Sequence, residues 1–472
     1  MEWRLLMPEL YFLLGIVLLF SLSMRARQDT GRIHRIAYFL AAIGVVVSLA
    51  AVGQKGTAFS GVYRVDLFSQ AFKVMLALAL FLSVCLCRDL NTIRERRHTE
   101  FYLLLMIATL GMMLLVSSVE LLTLYVSLEL TSYSLYVLVP LRRGYGVHVE
   151  AGIKYFLVGV TTSALMLFGL ALLFGATRST SLAELAKVMP SLIHSPMAFT
   201  GLLLALCGFF FKLAVFPFHV WAPGVYQGAA NQVTAFIATA SKVAAIGVIA
   251  RIVSVTGGES IPLAKVLEGV AIASMTLGNL VAIVQKDLKR MLAYSAIAQG
   301  GYVLVGILSM SRGGYASAIF YALAYLIMIY TCFLVLVKVA GEGEDLKIVQ
   351  LAGLHRRSPL LAMALMLGVF GLGGLPPTIG FTGKFLLFTA AMKSGHFFLV
   401  LVAMINVAVS LYYYALVVKA AYLLKPEREL PPLSLSVSER MLATALILVL
   451  VGGGLFPQVL YNLATAAAKV LP

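Results

Sequence analysis

Charge is what this 472-residue chain has least of. Asp, Glu, Lys and Arg together make up 12% of it, against 61% hydrophobic residues. A soluble domain carries roughly 25% charged residues, so the shortage excludes an ordinary water-soluble globular protein. Acidic residues are scarcer than basic ones, 20 against 36, which leaves a net charge of +16. The four cysteines (Cys85, Cys87, Cys207, Cys332) lie in or at the ends of apolar stretches without a CxxC pair, so neither a disulfide framework nor a metal site is expected. Alternating ten-residue patterns are absent, which argues against a membrane β-barrel. No Gly-rich phosphate loop follows a strand, because no strands are expected. The Gly371-Leu-Gly-Gly-Leu-Pro-Pro run sits inside an apolar stretch and is expected to break a helix, so the chain is expected to bind no nucleotide. The first apolar stretch lacks a small-residue cleavage site and is kept as a span, not a signal peptide.

What the chain does have is apolar runs of about 20 residues from end to end, the length a helix needs to cross roughly 30 Å of hydrocarbon. Backbone groups in lipid must be satisfied within the segment, so these runs are helices. About fourteen spans are predicted, with cores near 8–24, 34–53, 68–87, 101–118, 119–140, 150–176, 199–220, 228–254, 261–284, 290–310, 314–338, 359–394 (interrupted), 397–424 and 438–457. The longest loops, about 177–198 and 339–358, run to roughly 20 residues, too short for a soluble domain. Basic residues concentrate in the odd-numbered loops: Arg25, Arg27, Arg32 and Arg35 after span 1, Arg88, Arg94, Arg96 and Arg97 after span 3, and Arg142 and Arg143 after span 5. Lys286, Lys289 and Arg290 follow span 9, and Lys347, Arg356 and Arg357 follow span 11. The positive-inside rule puts those loops in the cytoplasm and both termini outside. The positive charge therefore sets topology and does not point to nucleic acid; the lipid bilayer is the expected surrounding.

Four ionisable residues sit where lipid depth is expected: Glu129, Lys212, Lys242 and Lys384. Each charge costs about 2.5–3.5 kcal/mol near the bilayer centre, on the order of 10 kcal/mol for four. One acid and one lysine could be a packing ion pair; three lysines cannot all be matched by one acid. Burial makes a lysine easier to deprotonate and a nearby carboxylate reverses that, so a row of such groups suits a proton relay. Pro217 lies beside Lys212 and frees the carbonyl of Leu213. Gly373, Gly374, Pro376 and Pro377 precede Gly380, Gly383 and Lys384. Non-helical backbone at this depth belongs where protein or a cavity surrounds it, and a break beside a lysine in each half suggests internal repeats. Auxiliary candidates are Lys154 (with Glu150, at the membrane interface), His219, Tyr294, Ser295, Gln299, Tyr302 and Tyr325, with Tyr321 and Thr331 in the same two spans. Hydroxyls of this kind are also ordinary glue between helices. Tyr412, Tyr413 and Tyr414 are expected to be packing or belt residues.

These segments resemble a known family. The stretches are Glu129-Leu-Thr-Ser-Tyr-Ser-Leu-Tyr136, Glu150-Ala-Gly-Ile-Lys154, Phe211-Lys212 through Pro217-Phe-His219-Val-Trp221-Ala-Pro223, Val225-Tyr226-Gln227-Gly228, Val233 to Lys242, Gln285-Lys-Asp287-Leu-Lys-Arg290 to Ser295, and Gly380-Phe-Thr-Gly-Lys384. Together they resemble subunit N (subunit 2 in mitochondria) of the proton-pumping NADH–quinone oxidoreductases, respiratory complex I, over nearly the whole chain. The resemblance implies an all-α polytopic fold of fourteen helices, with two inverted five-helix repeats and discontinuous helices 7 and 12. Its parts would be a three-helix segment 1–100, repeats 101–254 and 255–424, and a last helix in 425–472. It implies that Glu129 pairs with Lys212, that Lys242 relays and that Lys384 gates the exit half. The chain would have no cofactor of its own: NADH, FMN, iron–sulfur clusters and quinone would belong to partner subunits. Those partners would include sister antiporter-like subunits, in a bacterial or archaeal-type cell membrane. Members of the family usually carry Asp where Gly224 stands, and a Thr-Pro pair where this chain has Ala230-Asn231.

Three other readings remain open at this point. An Mrp-like cation/proton antiporter subunit would want carboxylate and carbonyl oxygens at its sodium site, whereas these sites are mostly lysines. A non-transporting scaffold would give the lysines no work. A complex fed by ferredoxin, a deazaflavin or a hydrogenase module would keep the mechanism and change the donor.

Overall fold

The computed structural model describes residues 2–24, 29–88, 90–143, 147–257, 260–341, 344–426 and 431–471. Arg25 and Arg27 of the first loop lie outside the described residues. Each expected span is a helix or a broken helix. Spans 1 to 6 are α1 (Met7–Ser23), α2 (Thr30–Ala50), α3 (Leu67–Cys85), α4 (His98–Ser117), α5 (Leu121–Leu138) and α6 (Val147–Thr177). A short α7 (Leu182–Leu192) follows. Span 7 is split into α8 (Pro196–Leu213) and α9 (Ala222–Gly228), and span 8 is α10 (Asn231–Phe236) and α11 (Lys242–Ser254), joined through a π-helical turn, Ile237–Ser241. Spans 9 to 11 are α12 (Ile261–Ile283), α13 (Leu288–Ile307) and α14 (Arg312–Val339); α15 (Leu354–Arg357) precedes span 12, which is split into α16 (Pro359–Gly373) and α17 (Ile379–Lys393). Then come α18 (Phe397–Leu423), α19 (Val437–Leu455) and α20 (Gln458–Ala468). This is the all-α polytopic fold with discontinuous helices 7 and 12 that the sequence suggested.

Three elements correct the expectations. The loop after span 2 forms an antiparallel hairpin of β1 (Gly56–Ala58) and β2 (Tyr63–Val65), so strands do exist; at three residues each they are too short to show a period of two. The loop 177–198 holds α7, which buries Leu182, Leu185 and Met189 at helical spacing. After span 14 the chain continues as α20, whose Tyr461 ring meets Phe320 near the start of α14.

The loops sort onto two ends of the bundle. At one end Arg143 N–H donates to Thr92 O, Ile93 bridges Arg142, Asp287 bridges Lys347, and Leu433 N–H donates to Arg357 O. These ties join the loops after spans 3, 5, 9, 11 and 13. At the other end Tyr63 bridges Ser118, Glu120 bridges Ser181, and Ser394 Oγ donates to Ser309 O. These join the loops after spans 2, 4, 6, 10 and 12. The basic loops therefore share one end, as strict alternation of spans requires. Glu9, near the start of α1, lies under the hairpin at the even-loop end, where Tyr63 OH donates to it (2.7 Å).

One local pattern occurs twice. Glu120 caps α5 by accepting from Thr123 N–H, while Leu121 N–H and Leu182 N–H exchange bonds with Thr180 O and Val119 O. Asp287 caps α13 by accepting from Arg290 N–H, while Leu288 N–H and Ile348 N–H exchange bonds with Leu346 O and Lys286 O. A carboxylate at the helix N-terminus satisfies free amides and meets the positive end of the dipole. The two copies begin spans 5 and 10. Spans five apart run in opposite directions when successive spans alternate, so the recurring units are inverted.

Helices approach most closely over glycine. A Cβ on Gly169 of α6 would sit 2.4 Å from Ala205 N and 2.7 Å from Gly201 O of α8, and one on Gly278 of α12 would sit 2.7 Å from Ala298 N of α13. Helix association in lipid depends on such close packing, because apolar burial drives little there. Gly169→Val and Gly278→Val each force backbone apart and should cost about 1–3 kcal/mol or more. Lower thermal stability of the purified complex and reduced assembly on native gels are the expected readouts.

Candidate functional site

The first break is closed by its own backbone. Helix α8 stops at Leu213, and Ala214 takes a left-handed conformation (φ 59, ψ 41). Its N–H donates to Phe211 O and the Val215 N–H to Phe210 O (both 3.1 Å). This uses up carbonyls of the last turn. Phe211 O also accepts from Trp221 Nε1 (3.0 Å), and Ser274 Oγ accepts the Phe216 N–H (2.9 Å). The Leu213 carbonyl is left, and Lys242 takes it: its Nζ donates to Leu213 O at 2.7 Å and to Ala296 O of α13 at 2.8 Å. The carbonyl that Pro217 was expected to free thus holds the lysine of span 8.

The second break repeats the arrangement. Helix α16 stops at Gly373, and Gly374 is left-handed (φ 78, ψ 43). Its N–H donates to Gly371 O and that of Leu375 to Phe370 O (both 2.9 Å). Lys384 Nζ then donates to Leu372 O at 2.7 Å, and the Gln299 amide donates to the same oxygen at 2.9 Å. Pro217 and Pro377 each follow a cis peptide bond within these turns, Pro376 precedes the second, and Gly380 packs against Gly371 O. In both places an ammonium lies at the negative end of a half-helix dipole, with free carbonyls to donate to. Ala214 holds a backbone conformation that costs a non-glycine residue about 1–2 kcal/mol, whereas the second break uses glycine.

Lys212 is held differently. It is buried, makes no hydrogen bond among the described residues, and its Nζ stands 5.3, 5.6 and 5.7 Å from the ring centres of Phe211, Tyr155 and Tyr136. Three ring faces stabilise a cation through their quadrupoles. Glu129 is half-buried and accepts from Ser163 Oγ at 2.5 Å. The expected Glu129–Lys212 ion pair is therefore not made; the aromatic cage holds the ammonium and a serine holds the carboxylate. Tyr136, Tyr155 and Ser163 escaped sequence reasoning. Tyr136 closes the Glu129 run and Tyr155 follows Lys154, but only packing turns them onto Lys212.

Between Lys242 and Lys384 lies a chain of neutral polar groups. Ser295, next to the carbonyl that holds Lys242, shares a 2.5 Å hydrogen bond with Tyr414 OH. Tyr414 OH accepts from the Gln299 amide (3.3 Å), and Tyr321 OH donates to Gln299 Oε1. Gln299 thereby ties Tyr321, Tyr414 and the Leu372 carbonyl together, one bond from Lys384. Tyr302 lies beneath Lys384, with its ring centre 4.3 Å from Nζ, and its hydroxyl accepts from Asn279 (3.1 Å). Tyr325 is fully buried beside Tyr226. Tyr414, expected to be packing or belt, is fully buried within this chain; Tyr413 donates to Asn279, and only Tyr412 faces outward.

Other expected residues fall elsewhere. Lys154 is exposed and pairs with Glu150 (2.5 Å), away from the lysine axis. Its side chain lies 4.0 Å from where Gly224 would carry a Cβ, so an aspartate there would have a cation beside it. His219 stacks on Phe216, and its Nδ1 has no partner among the described residues. Tyr294 is half-buried, and Thr331 Oγ1 donates to Ile327 O of its own helix.

Two further charge clusters were missed. At the end of α9, Arg142 and Lys289 donate to Gln227 O (2.7 and 2.8 Å) and both pair with Asp345 (3.2 and 3.3 Å). They cap the second half of broken span 7 with cations, as the dipole favours. At the even-loop end Lys73 pairs with Glu9 (2.7 Å), and Arg251 with Asp66 (3.2 Å). Burial raises the Asp66 carboxyl, but Arg251 and the Ser69 N–H outweigh it and leave it below the usual carboxylate range. Each of these residues lies within a few positions of a span end, where charge is unremarkable in sequence.

A family model described as NADH:quinone oxidoreductase/Mrp antiporter, TM, matches residues 118–410. The chain belongs to this NADH:quinone oxidoreductase/Mrp antiporter family. A "NADH-quinone oxidoreductase subunit N 2" of Syntrophobacter fumaroxidans is 56% identical over 471 residues, covering 100% of both chains. Among solved structures, a chain of respiratory complex I from Thermus thermophilus is 33% identical with a TM-score of 0.85, covering 97% of this chain and 100% of its own. A chain of the Mrp complex from Dietzia sp. matches at TM-score 0.87 and 22% identity, over 100% of this chain and 98% of its own, and so shares the fold. The matched segment takes in both breaks, Glu129 and the three buried lysines Lys212, Lys242 and Lys384 of this family member.

The Gln299 junction generates a prediction. Gln299→Leu removes every polar link it makes and leaves the buried Tyr321 hydroxyl without its acceptor, which should cost about 1–3 kcal/mol and lower proton translocation about tenfold or more in complex that still assembles. Tyr414→Phe should have a smaller effect in the same direction. Proton uptake by vesicles and native-gel assembly are the measurements.

Proposed function

We propose that this chain is the subunit N-type membrane subunit of a proton-translocating NADH–quinone oxidoreductase, and that it carries protons along the axis Glu129, Lys212, Lys242, Lys384. One observation supports this most: Lys242 and Lys384 are buried at mid-span on the carbonyls of two broken helices, and hydrogen-bonded Ser295, Tyr414 and Gln299 lie between them. A lysine on carbonyl acceptors holds a proton; once neutral, it loses its reason to stay there, so binding and release couple to the geometry of the break. Hydroxyls and an amide with donors and acceptors on both sides can pass a proton through intervening water.

On this proposal the chain performs no redox chemistry. NADH, FMN, iron–sulfur clusters and quinone are bound by partner subunits, and the drive arrives through contact with them and with sister antiporter-like subunits of the membrane arm. Moving one proton against 100 mV requires about 2.3 kcal/mol, which a chain without its own energy source must receive from neighbours. The basic odd-loop end faces the cytoplasm and both termini lie outside.

Lys212→Ala should leave assembly largely intact and abolish proton pumping by this subunit. Lys384→Met should do the same while removing the ammonium from Leu372 O. Both are checked by the ratio of protons moved to electrons transferred in everted vesicles. A wild-type ratio in either variant would defeat the proposal.

A further inference from the structure

The groove between α1 and α2 has a composition that the lysine axis does not use and that helix packing uses only in part, through Ile36 and Leu40. It is a shallow channel of about 460 Å³ on the outer surface of the bundle. Arg32 and Arg35 stand at its mouth, and Ile36, Phe39, Leu40 and Ile43 follow along α2, with Leu18 of α1 opposite. These positions, 32, 35, 36, 39, 40 and 43, are one stripe of a helix, because residues three and four apart share a face. The stripe is cationic at one end and apolar for the rest. From Arg32 to Ile43 it is 11 residues, or about 16 Å at 1.5 Å per residue. That is half of a hydrocarbon core of roughly 30 Å, the depth of one leaflet.

The charged end is at the basic, odd-loop end. Helix α2 begins there, and His34 Nδ1 lies 3.0 Å from Tyr102 OH, near the start of α4. Both arginines are exposed, and neither forms an ion pair among the described residues. The carboxylate close by is Asp29, and its Oδ1 accepts from the Gly31 and Arg32 amides (2.9 and 3.2 Å), capping α2. Two guanidiniums above an apolar channel one leaflet deep match an anionic phospholipid in charge and in length: phosphate oxygens accept paired N–H bonds from arginine, and Phe39 and Ile43 offer an apolar wall of the length of an acyl chain.

We propose that the α1–α2 groove is a binding site for an anionic phospholipid of the odd-loop leaflet, with its headgroup phosphate on Arg32 and Arg35 and one acyl chain between Leu18 and Ile43. The site is independent of the proton axis. An arginine near a membrane surface contributes roughly a fivefold preference for anionic lipid, and a pair roughly thirtyfold.

The test uses the intact complex in nanodiscs containing either bromine-labelled phosphatidylglycerol or bromine-labelled phosphatidylcholine, imaged by electron cryomicroscopy. Bromine density beside Phe39 and Ile43 is expected with phosphatidylglycerol and much weaker density with phosphatidylcholine. In Arg32→Gln/Arg35→Gln the phosphatidylglycerol density should fall to the phosphatidylcholine level. Leu18→Trp, which fills the channel without touching the arginines, should displace the acyl chain. All variants change exposed positions and should keep wild-type NADH–quinone activity. Equal density with both lipids, or density unchanged in the double variant, would overturn headgroup recognition. A groove filled by a helix of a neighbouring subunit would overturn the lipid assignment altogether.

Discussion

Everything in the centre of this molecule depends on giving a lysine ammonium a partner where there is no water to provide one. The solution is to stop a helix early. An intact helix spends its carbonyls on its own amides; a helix that ends at mid-depth leaves some free at the negative end of its dipole. Leu213 and Leu372 are those carbonyls, and Lys242 and Lys384 occupy them. The left-handed residue, the amide that bonds back one turn, and the proline after it all serve to end the helix cleanly. Trp221 and Ser274 then satisfy groups that the first break would otherwise strand. The rest of the bundle, with its glycine contacts between α6 and α8 and between α12 and α13, holds those ends against the helices that carry the acceptors.

Lys212 shows the alternative. With no hydrogen-bond acceptor for its ammonium among the described residues, it is enclosed by the rings of Phe211, Tyr155 and Tyr136. Ring faces stabilise a cation but cannot accept a proton, whereas Gln299 and Tyr414 offer both a donor and an acceptor. The two halves of the axis are thus built from different chemistry, although they share a fold and a pattern of helix caps.

Much of this was legible in the sequence because lipid leaves few options. Twenty apolar residues must be a helix, so all fourteen spans were found, and Lys212, Lys242 and Lys384 stood out against them. Pro217 and the Gly-Gly-Leu-Pro-Pro run marked both breaks, and even the carbonyl of Leu213 could be named. What could not be read were relations between helices. Whether Glu129 meets Lys212 or Ser163 depends on side-chain directions that spacing does not give. Tyr412, Tyr413 and Tyr414 are identical in sequence and differ by about 100° in heading, so one faces outward and two face the core. Glu9, Lys73, Asp66 and Arg251 sit near span ends, where charge is ordinary, and only the packing of α1, α3 and α11 makes them buried pairs. The short hairpin was lost because three-residue strands show no period of two; α7 and α20 have helical apolar spacing but, at 11 residues each, fall short of the roughly 20 residues that mark a span.

The placement of the two breaks inside spans 7 and 12 has an electrical consequence. On the proposed relay, a proton passing from Lys242 to Lys384 works against the membrane voltage only through whatever depth separates the two lysines. Displacement along an equipotential requires no work against the membrane voltage, whatever its size. The rest of the load of about 2.3 kcal/mol per 100 mV would fall on the legs by which the proposed relay reaches either surface. Since span 7 and span 12 run in opposite directions, their half-helix dipoles point at opposite surfaces, and a fixed voltage biases the two legs through oppositely oriented local fields.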